Sequence, residues 1–398
     1  MRALLFVLTL LAGPAAAQVT IRGIVRDSLT GKPLPFASVF LLNTTYGATA
    51  DQQGAYVLPG IRRGRYDVSA SYLGYRLRQR PVLVAAETNL TLNFGLLPAP
   101  APLGEVVVRP ANRLADYQLF LKLFLGTSSF ARLCQVRDPA DISVVFDPGR
   151  RRLTARATRA VQVDNGALGY RLTCYDLDFR ADITDETVTI LTVSRVAFQP
   201  LPPLNAGEQR RWEANRQKAY RGSYLHFLRS AYAGRLAEEG FLLQRLSRRP
   251  NRRRAAADSL VRRWQAAGRN HGSLPDSVWR LLTQPKEFTL VYEDRLPLDS
   301  VRTAAAGRVW LRFRDLLAVT YENARPDPGF HAPGAITGHP LPGRQESILQ
   351  LRPPPAAELA PNAVPVAPLS LVTEGYWSFE KMAELLPLDY FPPESPGH

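Results

Sequence analysis

Ser223 and His226 stand three residues apart in a stretch with helical spacing, so a hydroxyl and an imidazole share one face and could hydrogen-bond. A serine nucleophile needs such a base beside it. Arg229, a further three residues on, would add a cation for a small anion. The surrounding sequence argues for another role. A catalytic serine sits on a strained turn beside an oxyanion hole, and no Gly-x-Ser-x-Gly occurs in the chain. Ser223, His226 and Arg229 are therefore read as anchors of a polar network or as ligand contacts, with a hydrolase site near His226 as the alternative. Asp138, Asp141 and Asp147 lack the spacing of a calcium loop, and Asp176 and Asp178 alternate as surface carboxylates do. No glycine-rich phosphate loop is present. No cofactor and no metal is expected.

The two cysteines, Cys134 and Cys174, leave two readings open. In an oxidising compartment a pair that can meet forms a disulfide. Otherwise they are buried thiols that behave as small hydrophobes. Net charge is +15, carried by 45 arginines and five lysines. Such a charge suggests nucleic acid. The arginine bias runs along the whole chain, however, so no nucleic-acid partner is expected.

The elements that must position these residues begin with an export leader. Arg2, the apolar stretch Ala3 to Gly13 and the small residues Ala15-Ala16-Ala17 read as a signal peptide over residues 1–17. Its apolar core is too short to span a bilayer, and no later window supplies a transmembrane segment. From Val19 to Phe94, short runs alternate apolar and polar residues at period two, separated by turn clusters such as Asp27 to Pro33 and Asp51 to Gly54. About seven such strands predict a sandwich.

Four motifs in order carry a family resemblance: Gly23-x-Val25-x-Asp27, Gly31-Lys32-Pro33-Leu34-Pro35-Phe36-Ala37-Ser38-Val39, Thr49-Ala50-Asp51-x-x-Gly54-x-Tyr56 and Ser71-Tyr72-Leu73-Gly74-Tyr75. The region resembles the carboxypeptidase-regulatory-like domain, common at the front of Bacteroidetes-type envelope proteins. The resemblance implies a transthyretin (prealbumin)-like sandwich without peptidase chemistry. Consistently, none of the five histidines has a glutamate three residues later, as a zinc carboxypeptidase requires. A Pro/Ala-rich linker follows, ending in Glu105-Val106-Val107-Val108. The same order opens TonB-dependent receptors, but the residues beyond it are too few for a plug and a 22-strand barrel.

The expected organisation is thus a leader (1–17), an all-β sandwich (18–95), a linker (96–110) and an α+β domain (111–398) with an antiparallel sheet and a long helical segment at Glu208 to Glu239. Gly222 could split that segment into two helices. Arg245 to Arg269 holds nine arginines and one acid, Asp258, and reads as a helix-and-loop excursion. It has a solvated face, or it contacts an anionic surface. A Pro/Gly loop spans Asn323 to Gly343. The second domain is also similar to that of other Bacteroidetes proteins with this front domain. The residues concerned are Ala219-Tyr220-x-Gly222-Ser223-x-x-His226-Phe227-Leu228-Arg229-Ser230, Glu238-Glu239-Gly240-Phe241 and Glu374-Gly375-Tyr376-Trp377. That likeness implies no activity. The expected function is a non-enzymatic, exported envelope protein of the periplasm or outer-membrane surface. Its expected partner is an envelope protein, a glycan or a peptide.

Overall fold

The computed structural model describes residues 19–85, 89–99, 113–184, 188–331 and 343–393. The leader, most of the expected linker and most of the Pro/Gly loop lie outside the described residues. The chain divides into two compact units, Met1–Val106 and Val107–His398.

The first unit holds β1 (Val19–Asp27), β2 (Ser38–Leu41), β3 (Gly47–Thr49), β4 (Ala55–Ile61), β5 (Gly64–Ser71), β6 (Arg78–Val84), β7 (Leu90–Thr91) and β8 (Phe94–Leu96). β1 pairs with β4, β7 and β8 in one sheet, and the other runs β3-β2-β5-β6. Period-two alternation turns Ile21, Val25, Val39, Leu41, Val68 and Ala70 inward, all buried in one core. The expected linker starts too early by this structure, because Leu96 is itself a fully buried strand residue. Asp27 shows what the family motif does. Its Oδ1 accepts the N–H groups of Leu29 and Thr30 at 2.7 and 3.0 Å, and its Oδ2 accepts the Tyr75 hydroxyl at 2.7 Å. The acid of the first motif and the tyrosine of the last thus hold each other.

The second unit opens with α1 (Arg113–Phe124), β9 (Cys134–Val136), β10 (Ile142–Asp147), β11 (Arg152–Ala157), β12 (Val161–Asn165), β13 (Tyr170–Ile183) and β14 (Val188–Pro200). The long β13–β14 hairpin is the spine of a six-stranded antiparallel sheet. One edge of β13 carries β11 and β10 at its C-terminal half and β12 and β9 at its N-terminal half. Phe120 and Phe124 of α1 pack edge-on against Phe179, at 5.3 and 6.1 Å between ring centroids.

Two helices replace the single long one. α2 (Ala206–Tyr220) and α3 (Tyr224–Ala233) are separated at Gly222, whose φ of 79° ends the first helix in the left-handed region. There follow β15 (Phe241–Pro250), α4 (Arg252–Ala266), α5 (Asp276–Leu282), β16 (Glu287–Arg295), α6 (Leu298–Val301), β17 (Arg302–Ala305) and β18 (Arg308–Leu311). The chain continues with β19 (Leu316–Tyr321), β20 (Gln345–Leu351), β21 (Ala357–Leu359), β22 (Leu371–Gly375) and α7 (Tyr376–Phe379). A five-stranded antiparallel sheet runs β16-β15-β19-β20-β22, and β17-β18-β21 form a smaller one.

Two expectations need correction. Arg245, Arg248 and Arg249 lie on β15, so the helical excursion begins only at Arg252. The cysteines are free thiols. β12 separates their strands, with Cys134 opposite Asn165 and Cys174 opposite Val161. Four residues of strand rise and two strand spacings put them roughly 16 Å apart, far beyond disulfide reach. Cys174 is fully buried, and the Cys134 thiol donates to the Phe130 carbonyl at 3.6 Å.

Candidate functional site

The three segments that resemble other second domains meet at His226. Ser223 is the N-cap of α3, and its hydroxyl accepts the His226 backbone N–H at 3.1 Å. The imidazole itself turns elsewhere. Its Nδ1 accepts the Gly222 N–H at 3.1 Å, which fixes the ring proton on Nε2, 3.2 Å from Glu239 Oε2. Tyr220, Phe241 and Tyr321 surround the ring at 4.8, 4.9 and 5.6 Å. Burial pushes the imidazole pKa below its usual value, against the pull of Glu239. Trp377 donates its indole N–H to the Gly222 carbonyl at 2.7 Å, which ties the third segment to the same point.

Arg229 points along the chain terminus instead of into an anion site. Its guanidinium donates to the Leu388 and Tyr390 carbonyls, both at 2.7 Å, and lies 4.0 Å over the Phe391 ring. Ser223, His226 and Arg229 are therefore neighbours on α3, but no Ser223 hydroxyl to imidazole bond forms. The only acceptor nitrogen of the neutral ring is already occupied, so this pair cannot act as nucleophile and base as it stands.

Beside this node lies a cavity of about 250 Å³ that sequence reasoning missed. Its wall combines Ser128 after α1, Asp327 after β19, Gln345 of β20, Tyr376 of α7, and Glu380 and Glu384 beyond it. The exposed cations Lys218 and Arg325 also line it. Asp327 accepts from the Ser129 hydroxyl at 2.5 Å, the Ser129 N–H at 3.2 Å and the Gly329 N–H at 2.8 Å. Burial pushes its carboxyl up, but these bonds outweigh burial and hold it below the ordinary range. Glu384 accepts from the Ser128 hydroxyl and from the Lys381 N–H at 2.9 Å. Burial still raises it to about 7, with the Asp327 charge adding to the rise. Glu380 is raised well above the usual range by burial and then by Glu384.

These residues come from five separate stretches of chain, which is why no motif announced them. One compositional signal was available: in a chain with 45 arginines, residues 353–398 contain none. Among the described residues no group of histidine, cysteine and acidic side chains is placed to hold a metal ion.

The arginine-rich stretch divides by partner. Arg245 pairs with Asp315 at 2.5 Å, Arg248 with Glu374 at 2.5 Å and Arg254 with Asp258 at 3.0 Å. Arg252, Arg253, Arg262 and Arg263 of α4 are exposed. That helix packs on α5 around Ala257, Leu274 and Val278, a small core of its own.

Residues 20–97 match the family model of the carboxypeptidase regulatory-like domain. No curated protein matches the chain. Among solved structures, the pilus 2b backbone protein of group B streptococcus is 18% identical over 20% of this chain and 41% of its own, with a TM-score of 0.18. Catechol 1,2-dioxygenase from Acinetobacter is 14% identical over 25% of this chain and 59% of its own, with a TM-score of 0.20. A cohesin–X-dockerin complex structure from Acetivibrio cellulolyticus gives 22% identity over 28% and 76%, with a TM-score of 0.19. The chain spans less than half the length of the streptococcal pilins it matches. No helix among the described residues is long and apolar enough to cross a membrane.

Proposed function

We propose that this chain is an exported cell-envelope protein that works by binding. In this reading the sandwich is a docking or spacer module, and the second unit holds the partner, an envelope protein, glycan or peptide. The observation that carries it is the occupancy of His226. Its Nδ1 holds the Gly222 N–H and its Nε2 faces Glu239, while Ser223 caps a helix, so the residues best suited to hydrolysis are engaged in the fold. The regulatory-like domain at residues 20–97 supports the same reading. The exposed arginines of α4 add a surface suited to an anionic envelope component, a contact that added salt would screen.

The test is in two parts. Cell fractionation with N-terminal sequencing is expected to find the protein outside the cytoplasm, starting at Gln18. The purified chain is then offered esters, peptides and glycosides, and separately an envelope extract with reversible cross-linking. Turnover that disappears in Ser223→Ala while the thermal midpoint stays unchanged would sink the binding reading. A cross-linked partner with no turnover supports it.

A further inference from the structure

The carboxyl groups around the cavity stand out against the rest of the second unit. Elsewhere acids there meet arginine: Asp164, Asp182, Asp258, Asp315, Glu358 and Glu374 each have an arginine partner. Asp327, Glu380 and Glu384 have no ion-pair partner among the described residues, although the chain carries 50 basic residues. Glu380 has no hydrogen-bond partner there either. Gln345, only 6% exposed, also lines the wall, and its side-chain Oε1 is a buried acceptor with no partner. Buried acceptors left open are costly in a folded protein. A ligand that donates hydrogen bonds and brings positive charge would satisfy them.

The same wall limits what that ligand is. No set of these acids is close enough to hold one metal ion, which favours an organic cation. Tyr376 and Phe379 line the cavity and pack with Phe330 at 5.1 and 5.4 Å, giving ring faces and edges that suit a cation on an alkyl stem. Lys218 and Arg325 are the only basic side chains in the lining, and both are exposed, so they stand where an anionic end would leave the cavity. A cavity of about 250 Å³ lies below the size that takes drug-like molecules. We propose that it binds a small zwitterion, a free amino acid or the amino end of a short peptide, with Glu380 and Glu384 receiving the ammonium and Lys218 or Arg325 the carboxylate. The inference rests on reading the chain as a binding protein and names the ligand class of one site.

Calorimetric titration of the full chain at pH 8 tests this with four probes: alanine, the dipeptide Ala-Ala, N-acetylalanine and ethylamine. Alanine or Ala-Ala is expected to bind, and N-acetylalanine, whose ammonium is blocked, is not. Tighter binding of alanine assigns the site to free amino acids, and tighter binding of Ala-Ala to peptide ends. Glu380→Gln is expected to weaken binding at least tenfold while raising the thermal midpoint, which separates lost recognition from lost folding. Arg325→Ala together with Lys218→Ala is expected to weaken alanine more than ethylamine. Equal binding of alanine and N-acetylalanine, unchanged binding in Glu380→Gln, or no binding of any amine at about 10 mM overturns the proposal. None of these outcomes touches the reading of the chain as a binder, which stands on Ser223 and His226 and fails only with turnover.

Discussion

The Nδ1 of His226 accepts the backbone N–H of Gly222 at 3.1 Å, four residues earlier in the chain. This bond crosses the break between α2 and α3 and caps a backbone group that the turn would otherwise leave buried and unpaired. It also fixes the tautomer, so that Nε2–H faces Glu239. One side chain thereby joins the helix break to the segment entering β15, and Trp377 adds α7 through the Gly222 carbonyl. The node explains why three distant sequence segments share one pattern of aromatic, glycine and acidic residues.

His226→Ala is expected to destabilise the protein by about 3–4 kcal/mol, because it opens a cavity among three rings and strands both hydrogen-bond partners. Urea unfolding at pH 8 measures this. The wild type also has an acid-sensitive term from this group. Its folded pKa lies below the unfolded value of 6.5, so the unfolded chain binds the proton first. The contribution is complete above pH 6.5 and is lost as pH falls toward the depressed folded pKa. In His226→Ala the decline over that window should flatten.

Gly222→Ala should be far more damaging than the same change at Gly307. Both glycines have positive φ, 79° and 73°, so each substitution carries a left-handed penalty of about 1–2 kcal/mol. At Gly307 nothing lies within 4 Å of the added carbon. At Gly222 it would sit 2.1 Å from Gln345 Oε1 and 2.6 Å from the Tyr321 ring. Thermal unfolding of the two variants is expected to show a small loss for Gly307→Ala and loss of cooperative folding in the second unit for Gly222→Ala.

What the sequence made legible follows from local rules. The sandwich announced itself because period-two alternation and turn residues act within a few positions, and Gly222 marked the helix break for the same reason. The arginines of β15 were misjudged because a paired arginine and a solvated one look alike until Asp315 and Glu374 are brought beside Arg245 and Arg248. β13 and β14 run longer than their apolar cores suggested, since β13 passes through an irregular register at Asp176, where φ is 50°. The cavity was invisible for a topological reason. Ser128 and Glu384 are bonded across 256 residues, and no spacing rule reaches that far.

Arg229 should govern the order of the C-terminal segment. It bonds the Leu388 and Tyr390 carbonyls and stacks on Phe391. Charge-assisted bonds of this kind contribute about 1.5–3 kcal/mol each when buried. Arg229→Ala is expected to raise amide exchange over residues 385–391 and to admit protease there, with a smaller change in the sheets. Arg229→Lys should rescue little, because a single ammonium cannot reproduce the forked donation to two carbonyls. Exchange mass spectrometry on the three proteins checks both statements.

Reducing agent should leave the stability of the second unit unchanged. A disulfide closing the roughly 40-residue loop between the two cysteines would contribute about 3–4 kcal/mol in the chain-entropy model, lost on reduction. The register across β12 forbids that bond, and burial pushes both thiols up to about 12, with Glu384 adding to the shift at Cys134. A thiolate is scarce at such values, so both sulfurs should be slow toward alkylating reagents in the folded protein. Cys134, partly exposed, should react before the fully buried Cys174. The measurement is thermal unfolding with and without dithiothreitol, paired with timed alkylation and mass spectrometry at pH 8. Equal midpoints and two free thiols are expected, whereas a midpoint that falls on reduction would mean that β9 and β13 approach each other in a way this strand order does not permit.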